Sequence, residues 1–315
     1  MKTLGHLKLI ISIVSGALLL TIGCQDQQTT GLPLIIDADT ANEIDDLYAI
    51  VRALNADELN VKAVTSAQFH TSPLATDSTV YESQAINEDI LALMGREDVE
   101  LPLGANHPMA SAHEPATSEA SAYIINTAKN HDPDHPLHIA ILGSCTNVAS
   151  AIVQAPEIIP NIRLHYIGFW HDTTTQVFDL QEFNSGNDTI AVQVLLDTEN
   201  LDLDVMTATT CQHLVFTKEN VDRLLKGKGG ISDYLVDRWD SYTRWWTEED
   251  PEKERWIMWD VAIIEALIHP ESADKKSFKA PSETPNRHID AYINIDVPAM
   301  LDKFWESVAT SSESH

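Results

Sequence analysis

The stretch Leu34-Ile35-Ile36-Asp37-Ala38-Asp39-Thr40-Ala41-Asn42-Glu43-Ile44-Asp45-Asp46 begins with apolar residues and ends with two acids. Its first three residues are fully apolar, which is typical of a short buried strand. The region 44–56 then carries Leu47, Ile50 and Leu54 at the spacing of one helix face. The stretch therefore predicts a strand, an acidic loop and a helix.

Five carboxylates lie within ten residues of this predicted strand-to-helix turn. Asp45 and Asp46 start the helix, where carboxylates cap free N–H groups and interact favourably with the helix dipole. Asp37 and Asp39 enter the same crevice, where like charges repel strongly unless a cation lies among them. The stretch itself contains no Lys or Arg. The cluster therefore predicts a divalent-cation site, and several carboxylates on a flexible loop suit Ca²⁺ better than Mg²⁺.

The rest of the chain alternates between short apolar runs and helical patterns. We predict further strands at 61–66, 137–143, 164–169 and 201–207, and helices at 77–94, 147–154 and 188–196. Such alternation predicts an α/β fold with a mainly parallel open sheet flanked by helices. Ligands bind beyond the carboxyl ends of such strands. The segment from Val221 to Ile268 is mostly helical in pattern and predicts a helical cap over this edge in the C-terminal third.

Two familiar aspartate motifs do not fit the acidic stretch. An EF-hand loop needs Gly at its sixth position and Glu at its twelfth. Counted from Asp37, these positions hold Asn42 and Tyr48. A phosphatase of the haloacid dehalogenase type needs Thr two residues after the second Asp, where this chain has Ala41. A metal-dependent phosphohydrolase is therefore the less favoured alternative.

The arrangement Asp-x-Asp, a short loop and Asp-Asp at a helix start resembles the first motif of the nucleoside hydrolase family. The loop here is two residues longer than in the shortest family versions. The resemblance implies a Rossmann-like α/β fold, a bound Ca²⁺ and hydrolysis of an N-glycosidic bond. The substrate implied is a small nucleoside-like molecule, most simply a ribonucleoside, that yields free base and sugar.

Further matches to this family follow in order along the chain. The run Gly143-Ser144-Cys145-Thr146-Asn147 is similar to the family segment Gly-Pro-Leu-Thr-Asn, in which the Thr carbonyl binds Ca²⁺. The run Gln181-Glu182-Phe183-Asn184 resembles the Glu-Phe-Asn segment, whose Glu and Asn bind the sugar hydroxyls. By count, Gln176 takes the place of another sugar-binding Asn. We found no resemblance in the region 271–315.

Two positions depart from the family pattern. In Met258-Trp259-Asp260, the Asp matches the last protein ligand of Ca²⁺, but Trp259 replaces a His that protonates the departing base in some members. At Gln68-Phe69-His70-Thr71, many members have Gly-Asn, so His70 is a candidate substrate contact. These departures keep open the alternative of a non-catalytic sugar- or nucleoside-binding lipoprotein.

The resemblance implies a role for each residue of the predicted site. Asp39 is the expected catalytic base, and Asp37 is expected to support the ligand shell from behind. The expected Ca²⁺ ligands are Asp39, Asp46, the Thr146 carbonyl and Asp260. The expected substrate contacts are Asp45, Glu182, Asn184, Gln176, His70 and Trp259. Candidates for stacking on the base are Trp170, Trp245, Trp246, Trp256 and Trp259.

The N-terminus predicts export. Lys2 and Lys8 precede an apolar run that ends in Gly23-Cys24, which resembles a bacterial lipoprotein cleavage site. We therefore expect a signal peptide at 1–23, lipidation of Cys24, a tether at 24–31 and one α/β domain at 32–315. The protein would be anchored to a bacterial membrane through this lipid alone and would face the periplasm or the exterior.

The overall charge limits the partners of the protein. Lys+Arg total 20 and Asp+Glu total 48, which gives a net charge of −28. Such a surface repels nucleic-acid polymers and anionic membranes. We expect Cys145 and Cys211 to be buried thiols, although a disulfide between them is the alternative in an oxidising compartment. The sequence does not define the oligomeric state, but members of the family it resembles commonly form dimers or tetramers, so a homo-oligomer is compatible with the resemblance.

Overall fold

The structure is a computed structural model that describes residues 31–243 and 250–311. Its strands are β1 (Leu32–Ala38), β2 (Leu59–Ser66), β3 (Leu137–Ile141), β4 (Ile162–Ile167), β5 (Trp170–Asp172), β6 (Val177–Asp179), β7 (Asp202–Met206), β8 (Val215–Thr217), β9 (Arg255–Ile257), β10 (Ala273–Lys279) and β11 (His288–Ile295). Its α-helices are α1 (Asp45–Leu54), α2 (Thr79–Leu93), α3 (Glu119–Ala128), α4 (Thr146–Gln154), α5 (Phe183–Asn187), α6 (Thr189–Asp197), α7 (Ala208–Cys211), α8 (Lys218–Leu225), α9 (Gly230–Ser241), α10 (Trp259–Ile268) and α11 (Val297–Ser311).

A seven-stranded sheet in the order β10-β11-β7-β4-β3-β1-β2 organises the described chain. All neighbouring strands run parallel except β10, which pairs antiparallel with β11. The predicted α/β fold with a mainly parallel sheet is therefore confirmed. Helices cover both faces, so β1 is buried on both sides: Leu34 and Ile36 pack with α1 and α10, whereas Ile35 packs with α4 and α6.

The register of the sheet brings four strand ends to one edge. Asp37 of β1 lies beside Ile141 of β3, which lies beside Tyr166 of β4. Ile167 of β4 in turn pairs with Met206 of β7. The loops that follow β1, β3, β4 and β7 therefore emerge together, where ligands bind in open parallel sheets.

A buried ion pair aligns the two helices that begin at this edge. Arg52 of α1 donates from Nε to Glu265 Oε1 of α10 at 2.6 Å, and both side chains are at most 5% exposed. Both charges are inside the protein, so their pairing satisfies groups that would otherwise be costly to bury. The contact holds α1 beside α10, and consequently holds Asp45 and Asp46 beside Asp260 at the helix starts.

The C-terminal third differs from the predicted helical cap. Helices α8, α9 and α10 form, but β8 and β9 pair between them. The chain then returns to the sheet as β10 and β11, and ends in α11. Strand β10 has no apolar alternation in its sequence because this edge strand is mostly exposed and buries only Phe278. Helix α3, which Ser118 caps through its side chain, was also not predicted. Of the helices in the described ranges, none has the length and apolarity that a membrane crossing needs.

Candidate active site

A cavity of about 650 Å³ opens at the carboxyl edge of the sheet. Its floor contains buried acids and its upper wall contains indole rings. The described residues that line it are Asp39, Asn42, Glu43, Asp45, Asp46, Leu142, Ile167, Trp170, Glu182, Phe183, Asn184, Ala208, Gln212, Val215, Asp250, Arg255, Trp256, Ile257, Trp259 and Asp260. Its size is suited to a small organic ligand.

Three carboxylates form the tightest acidic group on the floor. Oxygen atoms of Asp45, Asp46 and Asp260 lie within 4.8 Å of one another. Asp45 and Asp46 form the first turn of α1, and Asp260 lies in the first turn of α10. The backbone N–H of Asp260 donates to Asp45 Oδ2 at 3.2 Å, which joins the two helix starts. The sequence predicted Asp46 and Asp260 as ligands and assigned Asp45 to the sugar, whereas the structure places Asp45 within the same acidic group.

Asp39 lies beside this group on the loop after β1. It is 2% exposed, and its Oδ2 accepts no hydrogen bond from the described residues. Gly143, after β3, makes room for it, because a Cβ atom there would lie 2.7 Å from Asp39 Oδ1. Any larger residue at position 143 would therefore displace the Asp39 carboxylate.

Asp37 lies behind the cavity wall rather than on it. Its Oδ1 accepts hydrogen bonds from Thr65 Oγ1 at 2.7 Å and from Asn147 Nδ2 at 2.9 Å. Burial raises the pKa of Asp37 to about 6, while these two hydrogen bonds act in the opposite direction. This position agrees with the predicted supporting role, although the role itself stays a prediction.

The acidic floor is electrostatically unfavourable without a counter-charge. Burial raises the pKa of Asp45 to about 6, and it raises the pKa values of Asp39, Asp46 and Asp260 well above their ordinary range. Mutual repulsion adds to this effect at Asp39, Asp46 and Asp260. Asp46 Oδ1, like Asp39 Oδ2, is buried and accepts no hydrogen bond from the described residues. Buried, unpartnered carboxylate oxygens in one group fit a hard divalent cation.

Glu182 and Asn184 also line the cavity. Glu182 caps α5, because its carboxylate accepts hydrogen bonds from the N–H groups of Asn184 at 3.0 Å and Ser185 at 3.1 Å. Burial raises the pKa of Glu182, and these N–H donors lower it. Asn184 Nδ2 donates to the carbonyls of Leu142 at 2.7 Å and Ile167 at 3.2 Å. The amide is thereby oriented, and its Oδ1 is the atom that can accept from a ligand.

Thr146 is not among the described residues that line the cavity, and its predicted role as a backbone ligand stays a prediction. It is the first residue of α4, and its hydroxyl donates to Asp188 Oδ2 at 2.7 Å. A carbonyl in the first turn of a helix points along the axis toward the helix C-terminus, away from this edge of the sheet. Leu142 lies on the cavity instead, and its carbonyl accepts the hydrogen bond from Asn184.

His70 and Gln176 also lie away from the cavity. His70 contacts the Asn106 carbonyl through Nε2 and stacks on His107, with ring centroids 5.3 Å apart. Gln176 is exposed in the turn between β5 and β6, where its φ of 60° and its N–H bond to the Asp172 carbonyl fit a tight hairpin. Neither residue is among the described residues that line the cavity, and their predicted contacts with substrate stay predictions.

Three indole rings form the upper wall. Trp170 and Trp259 meet edge to face, with centroids 6.1 Å apart, and Trp170 is 38% exposed. Trp256 is buried, and its Nε1 donates to Glu43 Oε2 at 3.3 Å. The other two candidate rings, Trp245 and Trp246, lie outside the described residues, as do the predicted signal peptide and Cys24.

Several lining residues were missed by the sequence analysis. Glu43, Gln212 and Arg255 carry polar groups to the cavity, but none of them was assigned a role from the sequence. Glu43 had a signal, because it lies inside the acidic stretch. Cys145 and Cys211 are both buried free thiols in the structure.

Comparison with known proteins identifies the family. A family model described as inosine-uridine preferring nucleoside hydrolase matches residues 34–300, which covers most of the chain. The chain belongs to this family. The match includes residues 271–300, where motifs alone showed no resemblance.

Individual relatives are distant. The pyrimidine-specific ribonucleoside hydrolase RihA of Escherichia coli O1:K1 / APEC is 29% identical over 147 residues, which cover 40% of this chain and 44% of that protein. The match thus spans less than half the length of this relative. A purine-preferring ribonucleoside hydrolase from Gardnerella vaginalis has a TM-score of 0.71 at 18% identity, covering 90% of this chain and 100% of that one. A plant nucleoside hydrolase, the PpNRh1 enzyme, has a TM-score of 0.70 at 17% identity, covering 88% and 98%. These structures share the fold.

Proposed function

We propose that the protein hydrolyses the N-glycosidic bond of a ribonucleoside, in a Ca²⁺-dependent reaction that yields free base and ribose. The observation that carries this proposal is that an acidic surface and an aromatic surface line the same cavity. Its floor holds the acidic group Asp45, Asp46 and Asp260, and its wall holds indole rings. A polar sugar and a planar base require these two surfaces side by side.

The acidic floor is the proposed Ca²⁺ site. Asp45, Asp46 and Asp260 would hold the ion, together with Asp39, and the Leu142 carbonyl is the backbone oxygen at the same edge. A bound Ca²⁺ would offset the repulsion among the carboxylates and would make an attacking water more acidic.

Asp39 is the proposed general base. Its buried Oδ2 accepts no hydrogen bond from the described residues, so it is available to take a proton from water at the cavity floor. Asp37 would act indirectly, because its hydrogen bonds with Thr65 and Asn147 fix the end of β1 from which Asp39 extends.

Glu182 and Asn184 are the proposed sugar contacts. The Asn184 amide is oriented by two carbonyls and presents Oδ1 as an acceptor, while Glu182 adds negative charge on the same side. Hydroxyl groups of a ribose would donate to these oxygens. The surrounding carboxylates would stabilise the positive charge that develops on the sugar as the glycosidic bond breaks.

Trp259 and Trp170 are the proposed walls for the base. Their edge-to-face contact at the partly open end of the cavity leaves indole surface for a planar ring. Trp259 cannot donate a proton as an acid, so the base must depart with another form of assistance.

We also propose that the protein is exported and anchored by lipid at Cys24. The support is the sequence pattern of residues 1–24 alone. Mass spectrometry of the N-terminal peptide from cell membranes should show diacylated Cys24, and Cys24→Ala should release the protein from the membrane fraction. An unmodified Cys24 in membrane-bound protein would refute the anchor.

The activity is tested with a panel of purine and pyrimidine ribonucleosides, with Ca²⁺ and with a chelator. We expect free ribose only with Ca²⁺, and we expect Asp39→Asn to abolish release while its melting temperature stays within a few degrees of wild type. Nucleoside binding without turnover would favour the sugar-binding alternative. Release of phosphate from nucleotides would favour a phosphohydrolase.

A further inference from the structure

Carboxylates outnumber cationic side chains among the described residues that line the cavity. Among the described lining residues there are seven carboxylates and one guanidinium, and there is no His, Lys, Cys or Tyr. Five of the carboxylates belong to the floor. The other two, Glu43 and Asp250, are next to the indole wall, where the base of the substrate would lie.

Contacts place both of these acids beside Trp256. Glu43 Oε2 accepts the hydrogen bond from Trp256 Nε1 at 3.3 Å. Asp250 accepts hydrogen bonds from the N–H groups of Glu254 and Arg255 at 2.9 and 3.0 Å, immediately before Trp256 in the chain. Trp256 is itself held by edge-to-face contacts with Trp239 and Tyr242 at 5.5 and 5.3 Å. The wall therefore combines fixed indole rings with two carboxylates and one guanidinium, that of Arg255, so the carboxylates are in excess.

A ring that carries positive charge fits this wall better than a neutral base does. Aromatic faces attract cations, and they do so most strongly when the ring is an indole. The carboxylate of Glu43 adds a direct attraction to a cation stacked near Trp256. The same carboxylate would oppose a neutral base that gains negative charge as it departs.

The chemistry of the leaving group also favours a cationic ring. When a neutral nucleoside is cleaved, the electron pair of the C1′–N bond remains on the base, which must then be protonated. When the ring nitrogen is already cationic, that electron pair neutralises the ring and no acid is needed. Water supplies the oxygen that bonds to C1′, so the products are a neutral ring, free ribose and one proton. A site that has Trp259 in place of an acid can complete this reaction.

We propose that the substrate is an N-riboside whose leaving group is a cationic aromatic ring, such as a pyridinium or an N7-alkylated purine. This inference rests on the proposed N-glycosidase function and specifies its substrate class. Trp170, Trp256 and Trp259 provide the aromatic surfaces around the ring, and Glu43 supplies the matching charge.

The first test compares charged and neutral substrates with the purified full chain and saturating Ca²⁺. The charged probes are N-ribosyl nicotinamide and, at pH 6, 7-methylguanosine; the neutral probes are guanosine, inosine and uridine. We expect kcat/KM to be at least about tenfold higher for the charged probes, after subtraction of the uncatalysed rates. Equal or faster cleavage of neutral nucleosides would overturn this inference and leave the N-glycosidase function standing. No cleavage of any probe would overturn both.

A second test separates recognition of charge from the intrinsic lability of the charged probes. Glu43→Gln removes the charge and keeps an oxygen that can accept from Trp256. The ratio of kcat/KM for N-ribosyl nicotinamide to that for inosine should fall about tenfold. The control Asp302→Asn removes a charge from the exposed face of α11 and should leave the ratio unchanged. An unchanged ratio in Glu43→Gln would overturn the role of Glu43, because intrinsic lability is identical for both proteins.

Discussion

Replacing Asp260 by Asn should change the stability of the protein in opposite directions with and without Ca²⁺. Asn has nearly the shape of Asp, and the backbone N–H that donates to Asp45 Oδ2 is retained. In the cation-free protein the substitution removes a charge from a group whose oxygens lie within 4.8 Å of one another. With Ca²⁺ bound, the same substitution removes an anionic ligand.

The structure sets the size of the effect. Two unit charges 4.8 Å apart repel by about 3.5 kcal/mol at an effective dielectric constant of about 20. Proton uptake limits this penalty, since the pKa values of Asp46 and Asp260 are already well above their ordinary range. We therefore expect a gain of about 2 kcal/mol in the cation-free protein, which for a domain of this size raises the melting temperature by about 4 °C. Ca²⁺ affinity should fall about 100-fold or more.

The assay is thermal unfolding of wild type and Asp260→Asn, each with excess chelator and with saturating Ca²⁺. The variant should melt higher than wild type in chelator and lower in Ca²⁺, and calorimetry should show the weaker binding. Asp302→Asn, which changes an exposed acid on α11, serves as the control for net charge. A variant that melts lower than wild type in chelator, with undiminished Ca²⁺ affinity, would refute the assignment of this group as a cation site.

The same contacts lead to three further predictions. Burial raises the folded-state pKa of Asp45 to about 6 from an ordinary value near 3.9. The cation-free fold therefore favours the protonated side chain. The contribution of Asp45 to the free energy of unfolding is greatest below about pH 4 and is lost as the pH rises through 6. Ca²⁺ affinity should therefore weaken as the pH falls through 6; calorimetry at pH 5, 6 and 7.5 that shows constant affinity would contradict this. Asp39→Asn should lose ribose release at every pH while binding nucleoside, as equilibrium dialysis would show, and a rate comparable to wild type would remove Asp39 as the base. Arg52→Met should cost about 3–5 kcal/mol, because it leaves the buried Glu265 charge unpaired; denaturant unfolding should show partial recovery in Arg52→Met/Glu265→Leu, and full stability of the single variant would contradict the role of the pair.

The central part of the fold was predictable from local sequence. The apolar residues before Asp37 form β1, and the spacing of Leu47, Ile50 and Leu54 corresponds to α1. Both elements are buried against the core, so their apolar residues show the continuous run of a buried strand and the spacing of one helix face. The edge strand β10 was not predictable in this way, since its side chains are mostly exposed and its pairing depends on β11.

The candidate site was predictable where side chains follow strand ends. The crowding of acids at Asp37–Asp46 is visible in the sequence and by itself indicates a cation site, and Asp260 followed from a motif. The inclusion of Asp45 in the tightest group could not be predicted, because it depends on how α1 and α10 lie beside one another. The presence of Leu142 rather than Thr146 among the described lining residues could not be predicted either, because main-chain direction leaves no signature in residue type.

The most direct test of the account measures Ca²⁺ binding and ribose release on the same protein. The initial rate of release is followed as free Ca²⁺ is titrated with a buffered chelator, and calorimetry gives the binding curve under the same conditions. The account predicts that one ion binds, that the two curves have the same midpoint, and that Asp46→Asn shifts both to higher Ca²⁺ together. Ribose release that persists in chelator, or that is unchanged by Asp46→Asn while Ca²⁺ binding is lost, would contradict the claim that this acidic group holds the ion on which hydrolysis depends.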